Sequence, residues 1–109
     1  MKAVTLKKVP AEVLGFAQEA IRHFQTHELA KYDTFNRILL ADVSLQVWVA
    51  LRRKTEFSSK PAFTIKLKPS EAVAVLLCVT KMPATTDFEK WAASVMKMEL
   101  DRQIKGVAL

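Results

Sequence analysis

FTIKLKPSEAVAVLLC, residues 63–78, changes its period at a single proline. Before Pro69 apolar and polar residues alternate. Phe63, Ile65 and Leu67 fall on one side and Thr64, Lys66 and Lys68 on the other, as in a half-buried strand. After it, Ala72 to Val79 is apolar without a break. Pro69 suits the first position of a helix, where the missing amide hydrogen costs nothing, and Glu71 in the first turn complements the helix dipole. The spacing predicts a strand over 63–68 running straight into a helix over 69–81. That helix is too apolar all round to sit anywhere but among other elements.

Outward from this stretch, breakers are scarce. No glycine occurs between Gly15 and Gly106, and no proline between Pro10 and Pro61, which favours long helices over a many-turned β fold. Residues 3–8, AVTLKK, read as a short extended piece. Pro10 and Glu12 then open a helix with one apolar stripe of Val13, Ala17, Ala20, Ile21 and Phe24, ending near His27. A second helix, capped by Asp33 or Thr34, runs through FNRILLADVSLQVWVALRRK, and its nearly unbroken apolar surface suggests a central, buried position. Within it Leu45, Val47, Val49 and Leu51 alternate as a strand would, but no turn signal separates them from the helical NRILLA before. Thr86-Asp87-Phe88-Glu89 is a capping box that starts the last helix, which is predicted to reach Lys105 and stop at Gly106. The expected class is therefore α+β, mostly helical: a single domain over 1–109, with four helices and two short strands. A third strand is added only if 43–54 is extended.

A weak internal repeat runs through this order. TLKKVPAEVL (5–14) and TIKLKPSEAV (64–73) align without gaps and share Thr, Lys, Pro and Glu. Each is a strand passing through proline into a helix, and each is followed by a second helix, so the chain reads as a β-α-α pseudo-repeat whose strands could pair as a ribbon. Thr64, Lys66 and Lys68 would face outward, joined by Thr5 and Lys7. In organisation this resembles the ribbon-helix-helix DNA-binding domains, in which a two-stranded ribbon from two such units enters the major groove. That resemblance implies nucleic-acid contact by the Thr/Lys face. The chain departs from the pattern in an over-apolar third helix, long helices in the first unit, and no glycine in the turn before Thr86.

Composition narrows the function classes. The chain has 109 residues, half of them hydrophobic, and a net charge of +6. The N-terminal MKAVTLKKVP lacks the apolar core of a signal peptide, and no apolar run approaches the roughly 20 residues that span a bilayer. Cys78 is the sole cysteine and lies inside an apolar run, which suggests an inert thiol in a cytoplasmic protein. The basic excess is confined to residues 43–81, where seven cations face Glu56 and Glu71. Local reasons exist for each: Arg52, Arg53 and Lys54 close a helix, and Lys66 and Lys68 guard a strand. The same Arg52, Arg53, Lys54, Thr64, Lys66 and Lys68 are the candidate nucleic-acid contacts.

Chemistry-bearing constellations are sparse. Glu19, His23 and His27 share one side of the first helix, but no cysteine or further histidine completes a metal site. Asp42 falls among Phe35, Ile38 and Val49 without an acid-base partner. There is no glycine-rich phosphate loop and no nucleophile-base pair, so no cofactor, metal or catalytic activity is expected. The last helix carries two apolar stripes: Phe88, Trp91, Val95 and Met98, and Ala93, Met96, Leu100 and Ile104. One stripe is enough for an outer helix, so the second, Ala93 to Ile104, is expected to form the interface of a homodimer or a contact with another protein. The expected role is that of a small non-enzymatic interaction domain, with nucleic-acid binding the alternative.

Overall fold

A computed structural model describes residues 2–108. Strand β1 (Val4–Pro10) leads into helix α1 (Ala11–His27) and, through a short 3-10 turn at Leu29–Lys31, into α2 (Thr34–Glu56). Strand β2 (Ala62–Leu67) then leads into α3 (Pro69–Lys81) and α4 (Asp87–Ala108). The fold is α+β and mostly helical, with four helices and one two-stranded antiparallel sheet among the described residues. The β-α-α order occurs twice.

Local chemistry accounts for the boundaries. At the start of α2, the Asn36 amide donates to Asp33 Oδ1 at 3.0 Å. At the start of α3, Pro69 stands first and the Lys68 amide donates to Glu71 Oε1 at 2.8 Å. At α4 the box closes reciprocally: the Glu89 amide donates to Thr86 Oγ1, and the Thr86 amide to Glu89 Oε1, both at 3.1 Å. One alternative falls away and one expectation is corrected. Residues 43–54 are helical throughout, so no third strand exists among the described residues; 23 residues of hydrogen-bonded helix outweigh a brief alternation. Gly106 does not stop α4, which continues to Ala108. The glycine has a negative φ, so it is one more helical residue and not a left-handed cap.

The core lies where the ribbon's inner face meets α1, α3 and α4. Val4, Leu6, Val9, Phe63, Ile65 and Leu67 share one cluster with Val13, Ala17, Ile21 and Phe24 of α1, Val75 and Val79 of α3, and Met96 and Leu100 of α4. Helix α3 packs on α1, α2 and α4, which is why it can be apolar all round. Its alanines Ala72 and Ala74 are buried, and such small side chains allow close helix approach. Ser44, the one buried polar residue among the described residues, accepts from Gln25 Nε2 at 3.2 Å and donates to the Ala41 carbonyl.

Helix α2 is where the expectation fails most. It buries only Ser44, Val47 and Leu51 and is a peripheral helix, not a central one. Its first two turns extend past the core, leaving residues 34–39 exposed. Asp42, read as an acid among apolar neighbours, is exposed and accepts from Gln46 Nε2 at 3.1 Å.

Candidate functional site

The ribbon is built around one cross-strand pair. Leu6 and Ile65 are equivalent in the sequence repeat and are also partners in the sheet, so the local two-fold of the antiparallel ribbon passes through them. Thr5 lies opposite Lys66, and Val4 opposite Leu67. Strict symmetry would place Lys8, the counterpart of Leu67, in the core. A bulge between Leu6 and Val9 prevents this: Lys8 takes φ of 54°, turns outward, and Val9 pairs with Phe63 in its place. Two adjacent lysines, Lys7 and Lys8, are thereby exposed on β1.

The candidate nucleic-acid contacts divide. Thr64, Lys66 and Lys68 are exposed on the outer ribbon face, with Lys7 beside them and Thr5 half-buried. Arg52, Arg53 and Lys54 lie instead on the last turns of α2. Arg52 is engaged there, 3.4 Å from Glu56 Oε2 and 5.1 Å from the Trp48 ring centroid. Lys8 is the ribbon cation that sequence reasoning missed. Its signal was the displaced period of LKKVP against IKLKP.

The expected interface on α4 is corrected outright. Ala93 and Met96 are buried, Leu100 has no exposed surface, and Ile104 packs against the core. The cause is β1, which docks on this side of α4. Gln103 accepts from the Thr5 amide at 2.9 Å and donates to the Thr5 carbonyl at 2.5 Å, so its amide substitutes for a third strand at the ribbon's edge. The stripe that faces outward is the other one: Phe88, Trp91, Val95 and Met98, with Met98 72% exposed.

Helix α2 has a matching stripe. Phe35, Ile38, Leu39 and Leu45 are 86%, 65%, 60% and 50% exposed. Phe35 and Phe88 stand at the same step from the caps Asp33 and Thr86, as do Ile38 and Trp91, and Leu45 and Met98. Both second helices of the repeat thus present large apolar side chains at the seven-residue spacing that another helix can match.

A groove of about 1060 Å³ runs between β1 and α4. Trp91, Val95 and Met98 line one wall; Lys7, Lys8 and Val9 line the other. Elsewhere the chemistry is quiet. The His23 and His27 rings lie 4.6 Å apart, tilted by 43°, and His23 Nδ1 is buried without a hydrogen-bond partner among the described residues. Among the described residues no three metal-binding side chains converge. Burial pushes the Cys78 thiol up to about 12, so it is not a thiolate at neutral pH. No helix is long and apolar enough to cross a membrane among the residues described. No protein-family model, no curated protein and no solved structure matches this chain.

Proposed function

We propose that this is a non-catalytic interaction domain that self-associates through the outward stripe of α2. The observation that carries the reading is the mismatch on that helix: a sequence apolar enough for a buried position, with Phe35, Ile38, Leu39 and Leu45 left half to almost fully exposed. These four side chains leave roughly 400–500 Å² of apolar surface open, within the size of the largest patch on a typical monomer, which is often functional. That is about half of the ~800 Å² each partner buries in a standard interface, with the polar Asn36 at its edge. Asp42 and Gln46 fall within the stripe, where Gln46 Nε2 donates to Asp42 Oδ2 at 3.1 Å, so a partner must meet one carboxylate near its centre. A cytoplasmic setting fits the lone, buried thiol of Cys78.

Light scattering after gel filtration tests this on the wild type and on Ile38→Glu with Leu45→Glu. Both positions are exposed, so the double variant is expected to fold and elute as a monomer where the wild type is a dimer. A wild-type monomer at 100 µM, or an unchanged variant, removes the reading.

One observation favours a second reading, nucleic-acid binding: Lys7, Lys66 and Lys68 lie on one ribbon face with Thr5 and Thr64 between them, and a two-stranded ribbon is narrow enough to enter a major groove. Affinity for random duplex DNA that falls steeply with salt would support it; no binding at 50 mM salt would end it.

A further inference from the structure

The groove between β1 and α4 goes beyond self-association and does not depend on it. We infer that it receives an acidic amphipathic helix of a partner protein. Its wall on α4 is Trp91, Val95 and Met98, at steps of four and three residues, the seam that a second helix fills with its own apolar stripe. Met96 and Met98 give this wall adaptable side chains. The rim is net positive. Among the described residues, Lys2, Lys7, Lys8 and Arg102 border the groove against a single carboxylate, Glu99. That carboxylate is taken: Glu99 accepts from Arg102 at 2.6 Å and from Gln103 Nε2 at 2.7 Å. None of the ion pairs among the described residues involves Lys2, Lys7 or Lys8.

The charge pattern selects the occupant. A second copy docked groove to groove would set two lysine rims against each other, and like charges at an interface are unfavourable. A single-stranded nucleic acid would use the cations but needs successive stacking faces. The groove offers Trp91 among aliphatic side chains. An apolar stripe flanked by Glu and Asp satisfies both the wall and the rim. The β-bulge contributes directly, because it brings Lys8 out of the core register and onto the rim beside Lys7.

The test is selection from a displayed library of 18-residue helical peptides with randomised faces, against the folded wild-type chain, followed by anisotropy titration of the enriched peptides. Enrichment of Glu and Asp beside an apolar stripe of seven-residue spacing is expected. Kd should rise at least tenfold in Met98→Glu, and likewise in Lys7→Gln with Lys8→Asn, where asparagine accepts the left-handed backbone. It should be unchanged in Ile38→Glu with Leu45→Glu, so this inference and the α2 reading fail separately. Circular dichroism of each exposed-site variant confirms folding. Enriched peptides without acidic bias, or binding that survives both groove variants, would overturn the inference. So would a fluorescent oligonucleotide that binds more tightly than any peptide and is lost in the same variants.

Discussion

At the residue scale, Lys8 shows how one side chain sets the ribbon. A lysine at φ 54° occupies a conformation that costs a non-glycine residue about 1–2 kcal/mol, and the bulge recovers this by placing Val9 in the core. Lys8→Gly is expected to leave stability unchanged or raise it by up to about 1 kcal/mol, whereas Lys8→Val should lose about 1–3 kcal/mol, because a β-branched residue is strained there. Denaturant melts of the two variants check the ordering. Cys78 offers a second expectation. With its thiol pushed up to about 12 by burial, labelling of the folded protein at pH 7 should be slow and should accelerate only in denaturant. Stoichiometric labelling within minutes under native conditions would contradict the burial. Cys78 was legible in the sequence because its neighbours are all apolar; the bulge was not, because a single displaced lysine in LKKVP has no local signature strong enough to set register.

At the scale of the element, α4 separates what a pattern can and cannot reveal. Its start was legible to the residue, since Thr86 and Glu89 satisfy each other's amides without help from the rest of the fold. Its orientation was not. Two apolar stripes compete for the core, and the inward one is settled by packing on α3 and β1, the latter with Gln103 bonded to Thr5 across 98 positions of sequence. Leu100→Glu should therefore unfold the domain, an unpaired buried charge costing several kcal/mol against a net stability of about 5–15 kcal/mol, while Met98→Glu two residues away should fold normally. Thermal melts of the pair decide which stripe faces inward. The cap also sets a pH dependence. Hydrogen bonds from the Thr86 amide, the Thr85 hydroxyl and the Thr85 amide hold the Glu89 carboxyl below its usual range. A carboxyl lowered on folding stabilises the protein above its unfolded pKa, about 4.3 for glutamate, and that contribution disappears as pH falls through the folded value. The stability gap between wild type and Glu89→Gln is expected to be full at pH 6 and to narrow toward pH 3. A gap that is constant over this interval would show that Glu89 acts only through its shape.

For the whole molecule, the repeated β-α-α order brings the two strands together at Leu6 and Ile65, packs α1, α3 and the inner side of α4 into one core, and leaves matched apolar stripes of α2 and α4 facing outward. The overall class followed from the break at Pro69 and the lack of glycine. The peripheral place of α2 did not, because an apolar surface left exposed and one packed into the core have the same composition. The central claim, that a second copy covers α2, is tested most directly by amide hydrogen exchange measured as a function of protein concentration. The first turns of α2 have few buried contacts and should open easily in the monomer, so their exchange reports what covers them. Exchange over residues 35–46 is expected to slow between 1 µM and 200 µM protein, and to lose that dependence in Ile38→Glu with Leu45→Glu. Exchange on α2 that is identical at both concentrations, or slowing confined to another element, would contradict the claim.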